Sequence, residues 1–289
     1  MKTTLYIAMF FAMTLGAMSQ IFYEVTDPAM PKSKVYILGS IHVADSTFYP
    51  LDDKILDAFD DADAIITLID PNEKERLNAE SKKALCYAED DSLQNHISDS
   101  TYRRVKAYFE ANQIPLKILN RSTPAFLMII IEQTETNKAG FNYNARLEVY
   151  FSNKAGKKNV IGLETADQQF EIIDMVNYYS DLDVMLCNQL NNSKENISDL
   201  HKMVAAWKAH DPEKIDQAIK ENTRRFSAAE QKSNDEIFKT RSENFESQIR
   251  FALNTEKTYF AIIGSLYLVD ESGIIDLLTK SGCKVKRII

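Results

Sequence analysis

Two short apolar runs, far apart in the chain, break on the same dipeptide. The first, Val35-Tyr36-Ile37-Leu38, runs into Gly39-Ser40-Ile41-His42. The second, Tyr259-Phe260-Ala261-Ile262-Ile263, runs into Gly264-Ser265-Leu266-Tyr267. Aromatic and β-branched runs of this length that stop on a turn signal read as buried strands. Glycine at the break lets the backbone turn sharply or approach a neighbour closely. The residue three places beyond each glycine then sits just past the strand's carboxyl end. Parallel, adjacent strands would bring His42 and Tyr267 to one crevice, where open α/β sheets place their chemistry. One turn ends in a histidine and the other in a tyrosine, and that asymmetry needs explaining.

Each turn opens a similar unit. After His42, Asp45 and Ser46 are expected to cap a helix with Pro50 in its first turn. Leu51, Ile55, Leu56 and Phe59 fall on one face of that helix, and 64–69 is the next buried strand. The pattern of strand, turn, helix and strand predicts a right-handed crossover. The second unit runs from strand 259–263 through a helix over 272–280, stopped by Gly282, to a strand over 284–289. The expected fold is therefore α/β: a central mixed β-sheet from two pseudo-symmetric β-turn-α-β units.

Between the units lies a large helical insertion, about 73–252. Helices are predicted over 73–87, 101–112, 125–133, 145–155, 166–177, 181–190, 197–210, 212–221 and 228–252. One strand, Val160-Ile161-Gly162-Leu163, interrupts them and ends on Glu164. Thr165 and Gln168 form a capping-box pair that starts the next helix. Glu164 thus has the same kind of position as His42, with a helix-start carboxylate as its simpler reading.

Residues 1–19 read as a signal peptide rather than part of the fold. Lys2 gives a positive start, 5–15 an apolar stretch, and Ala17-Met18-Ser19 a small-residue cleavage site before Gln20. The competing reading is an uncleaved anchor, but the apolar run falls short of the ~20 residues a spanning helix needs. The chain is expected to be exported, periplasmic or secreted, with 20–289 as a single domain and no membrane span in the mature chain. The net charge of -8 argues against nucleic acid as a partner. Cys86, Cys187 and Cys283 are too few and too widely spaced for a disulfide framework or a zinc ribbon. There is no Gly-rich phosphate loop, no Gly-x-Ser-x-Gly elbow and no His-Glu-x-x-His. Of the other histidines, His96, His201 and His210 lie in polar or helical settings and read as surface, while Trp207 reads as core.

The Gly39-Ser40-Ile41-His42 turn with Phe48-Tyr49-Pro50-Leu51 resembles the opening signature of the TraB/GumN family, which includes Tiki-type proteases. The likeness extends to Gly156-Lys157-Lys158, Gly162-Leu163-Glu164-Thr165 with Gln168, Ala206-Trp207 with Asp211, Arg241, and 273–289. It runs with gaps over most of 33–289. No one motif is specific, but their order and spacing are. The resemblance implies a metal-dependent hydrolase site built around two Gly-x-x-His turns, acidic residues and an arginine.

This chain departs from that pattern. The second Gly-x-x-His is Gly264-Ser265-Leu266-Tyr267. Leu68 stands where the family has a glutamate, Gly140-Phe141-Asn142 replaces a Gly-x-Asp, and Arg241-Ser242 replaces an Arg-Asn pair. A hydrolytic metal usually needs about three imidazole or carboxylate ligands and one open position. A phenol, with an ordinary pKa of about 10, is a poor ligand at neutral pH. His42 and Glu164 remain as candidate metal ligands for a divalent ion, with Asp45 or Asp70 as compensating ligands.

The expected catalytic set is His42, Glu164, Arg241 and Tyr267, with Gly39, Ser40, Gly264 and Ser265 forming the binding turns. Two functions stay open. One is an exported hydrolase of peptide bonds, with a metal polarising water and Arg241 steadying the oxyanion. The other is a catalytically inactive relative that binds a peptide or protein ligand in the same cleft and holds no metal.

Overall fold

The computed structural model describes residues 21–70, 73, 85–179, 181–269 and 271–289. The expected leader and most of the expected 73–87 helix lie outside these residues. Six strands form one sheet: β1 (Phe22–Asp27), β2 (Met30–Ser40), β3 (Ala64–Ile69), β4 (Asn159–Glu164), β5 (Thr258–Gly264) and β6 (Lys284–Arg287). Their order is β4-β3-β5-β2-β1-β6. β2, β3, β4 and β5 pair in parallel, while β1 runs antiparallel to both β2 and β6. The sheet is mixed and the fold is α/β.

The two expected units are present but interleaved. β2 and β3 are separated by β5, so the first crossover steps over one strand. The second carries the chain from β5 past β2 and β1 to β6 at the far edge. β5 is buried from Tyr259 to Gly264, because strands covered on both faces need apolar residues on both. Phe59, Phe151 and Phe260 meet with ring centroids 4.8 to 5.4 Å apart, which ties helices Asp53–Asp61 and Leu147–Lys154 to β5. Glycine lets β4 close on β3: a Cβ on Gly162 would lie 2.3 Å from the Asp70 backbone nitrogen.

The start of the first helix differs from expectation. Asp45 does accept from Thr47 N, but it caps only a single 3-10 turn, Ser46–Phe48. Pro50 follows a cis peptide outside the helix. Asp52 is the actual cap of Asp53–Asp61, accepting from Lys54 N, because an aspartate immediately ahead of the first helical turn satisfies an otherwise free backbone donor. Leu51 is buried but precedes the helix.

The described part of the insertion is mostly helical apart from β4, as expected, and adds a second apolar cluster. Leu93, Ile97, Val105, Phe109, Leu127, Ile131 and Leu186 pack together apart from the main core. Helix Pro124–Lys138 carries Leu127 and Ile131 of this cluster, and Ala139 just beyond it packs on the main core. Cys86, Cys187 and Cys283 are free thiols. No helix among the described residues is long and apolar enough to cross a membrane.

Candidate functional site

Four parallel strands deliver their carboxyl ends to one edge of the sheet, and the register is close. Ser40 of β2 pairs with Gly264 of β5, and Ile69 of β3 with Glu164 of β4. The two Gly-Ser turns therefore lie side by side. They interlock as well: a Cβ on Gly39 would meet Ser265 Oγ at 2.7 Å, so any larger residue there would force that hydroxyl aside. Trp207, fully buried, donates its Nε1–H to the Gly39 carbonyl at 2.9 Å and stacks on Phe48.

His42 adopts a left-handed backbone, φ 59°, uncommon for a residue with a side chain. Its N–H donates to Ser40 Oγ at 3.1 Å. Its Nδ1 lies 2.9 Å from Glu148 Oε1, while Nε2 packs over Gly264, 3.2 Å from where a Cβ there would stand. A carboxylate only accepts hydrogen bonds, so neutral His42 carries its proton on Nδ1 and keeps the Nε2 lone pair free. Both Glu148 carboxylate oxygens are sealed from solvent and neither has a partner in hydrogen-bond geometry, so His42 meets Glu148 as a close, off-line charge contact. Burial pushes that carboxyl up, but this short contact with His42 and its charge, with Ser40 assisting, outweigh it and hold it below the usual glutamate range.

A second carboxylate flanks the histidine. Tyr143 donates to Glu132 Oε1 at 3.3 Å, and the protein around the phenol, then Glu132, push it up to about 12. Glu132 is exposed as a residue, yet desolvation at its carboxyl raises it above the usual range against the opposing effects of Tyr143 and His42. The two glutamates near His42 are thus displaced in opposite directions.

Arg241, on the long Ala228–Leu253 helix, faces the other turn. Its Nε and Nη2 donate to the two Glu164 oxygens at 2.7 Å each, a bidentate pair that leaves Nη1 outside. Gln169 Nε2 also donates to Glu164. The Glu164 side chain is 2% exposed and that of Arg241 16%. The capping of the helix after β4 is done by Thr165 and Gln168, as their spacing predicts, so Glu164 serves Arg241 rather than the helix start. The guanidinium lies over the Tyr267 ring, 5.3 Å to the centroid, and Tyr267 stacks on Phe238 at 5.6 Å. Burial raises the Tyr267 phenol, with Arg241 opposing.

Between these walls is a crevice of about 200 Å³ lined by Leu68, Leu163, Ile262, Ile263, Leu266, Phe245 and Tyr267, with His42, Arg241 and Gly264. Three of the four expected catalytic residues line it directly, and Glu164 reaches it through Arg241. Gly39, Ser40 and Ser265 are buried turn residues outside this lining. Asp45 is engaged by Thr47 and by Lys208 at 3.6 Å, away from the crevice. A larger open hollow of about 620 Å³, walled by Tyr102, Lys106, Glu110, Ile114 and Leu116, lies on the helical region and gathers none of these groups. His96 pairs with Asp91 at 2.6 Å and stacks on Tyr87, and His201 packs on Phe141.

Of the two expected metal ligands, Glu164 is already committed elsewhere. Glu164 spends both oxygens on Arg241 and Gln169, Leu68 offers no lone pair, and Tyr267 is held as a neutral phenol. Among the described residues no three His, Cys, Asp or Glu side chains form a group that could hold one.

Glu148 and Glu132 were missed by sequence reasoning, which marked Leu68 and Asn142 as the lost acids and named Asp45 or Asp70 as compensation. Asn142 instead bridges to Ala44 and caps a 3-10 turn. A usable signal was Glu148 itself, a carboxylate set between Leu147 and Phe151, which share the buried face of one short helix.

Fold and site together define an open α/β protein that gathers its polar side chains at the carboxyl edge of a largely parallel sheet. The chain belongs to the TraB/PrgY/gumN family, whose model matches residues 21–287. No curated protein and no solved structure matches it.

Proposed function

We propose that the crevice is a hydrolytic site that uses a carboxylate-oriented histidine as its base, acting on acyl bonds, with peptides as the class the family resemblance implies. The observation that carries this reading is the Glu148–His42 pair, with Nε2 directed to the crevice side. His42 Nε2 would take a proton from a water, whose oxygen adds to the substrate carbonyl. The imidazolium, stabilised by Glu148, would return that proton to the leaving group. Positioned bases of this kind contribute roughly 10²–10⁴-fold. Arg241 and Tyr267, both in the lining, would supply donors for the developing oxyanion, a role worth about 10²–10³-fold per donor. The same proposal has residues 1–19 removed on export, so that the site works in a periplasmic or extracellular setting.

A second reading, a catalytically inactive relative that only binds a peptide or protein, is favoured by Leu68 and by the mutual neutralisation of Arg241 and Glu164. Fluorogenic peptides and esters, assayed with and without a chelator, separate the two. The hydrolytic reading expects turnover that survives chelation and falls by roughly 10²–10⁴-fold in His42→Ala. Turnover unchanged in His42→Ala overturns it, turnover abolished by chelation restores the metal-dependent mechanism, and no turnover leaves the binding reading.

A further inference from the structure

We propose that the crevice accepts one neutral, apolar group the size of a leucyl or phenylalanyl side chain and rejects charged ones, with Leu68 as the residue that sets this preference. This rests on the crevice being the site described above, but not on its being hydrolytic. Three observations converge. The first is size: about 200 Å³ is slightly more than the roughly 150 Å³ known to hold a benzene ring in an apolar protein cavity, and below the range of ordinary small-molecule pockets. It holds a side chain, not a whole peptide.

The second is composition. Leu68, Leu163, Ile262, Ile263, Leu266 and Phe245 supply most of the lining. The third is charge. Arg241 is bound bidentately by Glu164, and His42 lies against Glu148, so both basic side chains at the crevice already have a carboxylate within 2.9 Å. A carboxylate or ammonium entering here would leave water for a site whose cations are already neutralised, and a buried charge without a counter-charge of its own is strongly disfavoured. Leu68 decides the matter because it occupies the β3 position opposite the Glu164 end of β4. A carboxylate there would compete for Arg241 and open the lining to polar ligands.

The test reads binding rather than turnover, so its outcome is independent of whether the site hydrolyses anything. N-acetyl-leucinamide and N-acetyl-aspartic acid 1-amide, nearly equal in shape, are titrated against the full chain by calorimetry. The expected result is saturable binding of the leucine amide, at least about tenfold tighter than the aspartate amide, given that even one methylene in an apolar pocket is worth about 10–200-fold. Leu68→Trp, checked for native circular dichroism, should abolish it. Leu68→Ala, a milder change for the case in which the tryptophan variant does not fold, should shift preference toward N-acetyl-phenylalaninamide. Equal affinity for the two shape-matched amides, absence of saturable binding, or an unchanged preference in a folded Leu68 variant overturns the proposal.

Discussion

Replacing Glu164 by glutamine should destabilise the protein far more than loss of a surface ion pair would. The Glu164 carboxylate is almost wholly buried, and it holds Arg241 through two 2.7 Å bonds. An amide of the same shape removes the charge and turns a donor toward a guanidinium that can only donate. Breaking one side of a buried pair costs about 3–5 kcal/mol, because the remaining charge is stranded. The 16% exposure of Arg241 argues for the lower end, about 3 kcal/mol. With a urea m-value near 3 kcal/mol/M for a chain of this size, the midpoint should fall by about 1 M. The melting temperature should fall by roughly 6 °C.

The control is the double variant Glu164→Leu with Arg241→Leu. Removing both charges at once should destabilise less than the two single changes added together, since neither partner is left stranded. Urea titrations followed by circular dichroism on the four proteins complete the cycle. A Glu164→Gln midpoint within about 0.2 M of the parent, or strictly additive leucine variants, would show that the pair is solvated and that Arg241 is not held at the crevice by Glu164.

Gly162→Ala should cost at least about 1–3 kcal/mol by overpacking, since its Cβ would lie 2.3 Å from the Asp70 nitrogen and only movement of two parallel strands can relieve that; urea unfolding measures it. Trp207→Phe should cost about 1–3 kcal/mol in a thermal melt, because the Gly39 carbonyl is left without its buried donor. The pH dependence follows from Glu148, whose folded pKa is depressed by His42 against the effect of burial. An acid with a depressed folded pKa binds fewer protons folded than unfolded, so its stabilisation is present above the usual glutamate value of about 4.3 and is lost as pH falls through the folded value. Stability measured from pH 6 downward should therefore decline less steeply in Glu148→Gln than in the parent.

The sheet edge was legible in the sequence because a strand buried on both faces and broken by Gly-Ser leaves little choice of where its next residues go. The pattern placed His42 and Tyr267 just past two strand ends, and the parallel pairing of Ser40 with Gly264 brings them to one crevice. Arg241 was not legible in this way: on a helix dense in both charges it reads as an ordinary solvated side chain, and only the resemblance singled it out. Its burial depends on Glu164, 77 residues earlier, and no local pattern encodes such a partner. Glu148 was hidden for a similar reason. Its helix is short, and its carboxylate matters through a contact with a turn more than one hundred positions upstream. The start of the first helix was misread because Asp45 and Asp52 both precede candidate turns, and position alone does not say which cap continues into an α-helix.

The placement of β5 has a consequence for how this protein comes into being. A strand drawn from residues 258–264 fills the gap between β2 and β3, which are made far earlier. During synthesis those two strands must wait with their inner edges open until residues 258–264, about two hundred positions later, have emerged. Contacts of such long range slow folding, and open edges invite pairing with the wrong chain. Nascent copies should therefore need escort by chaperones, and a protein shortened before residue 258 should lack not one peripheral element but the keystone of its sheet.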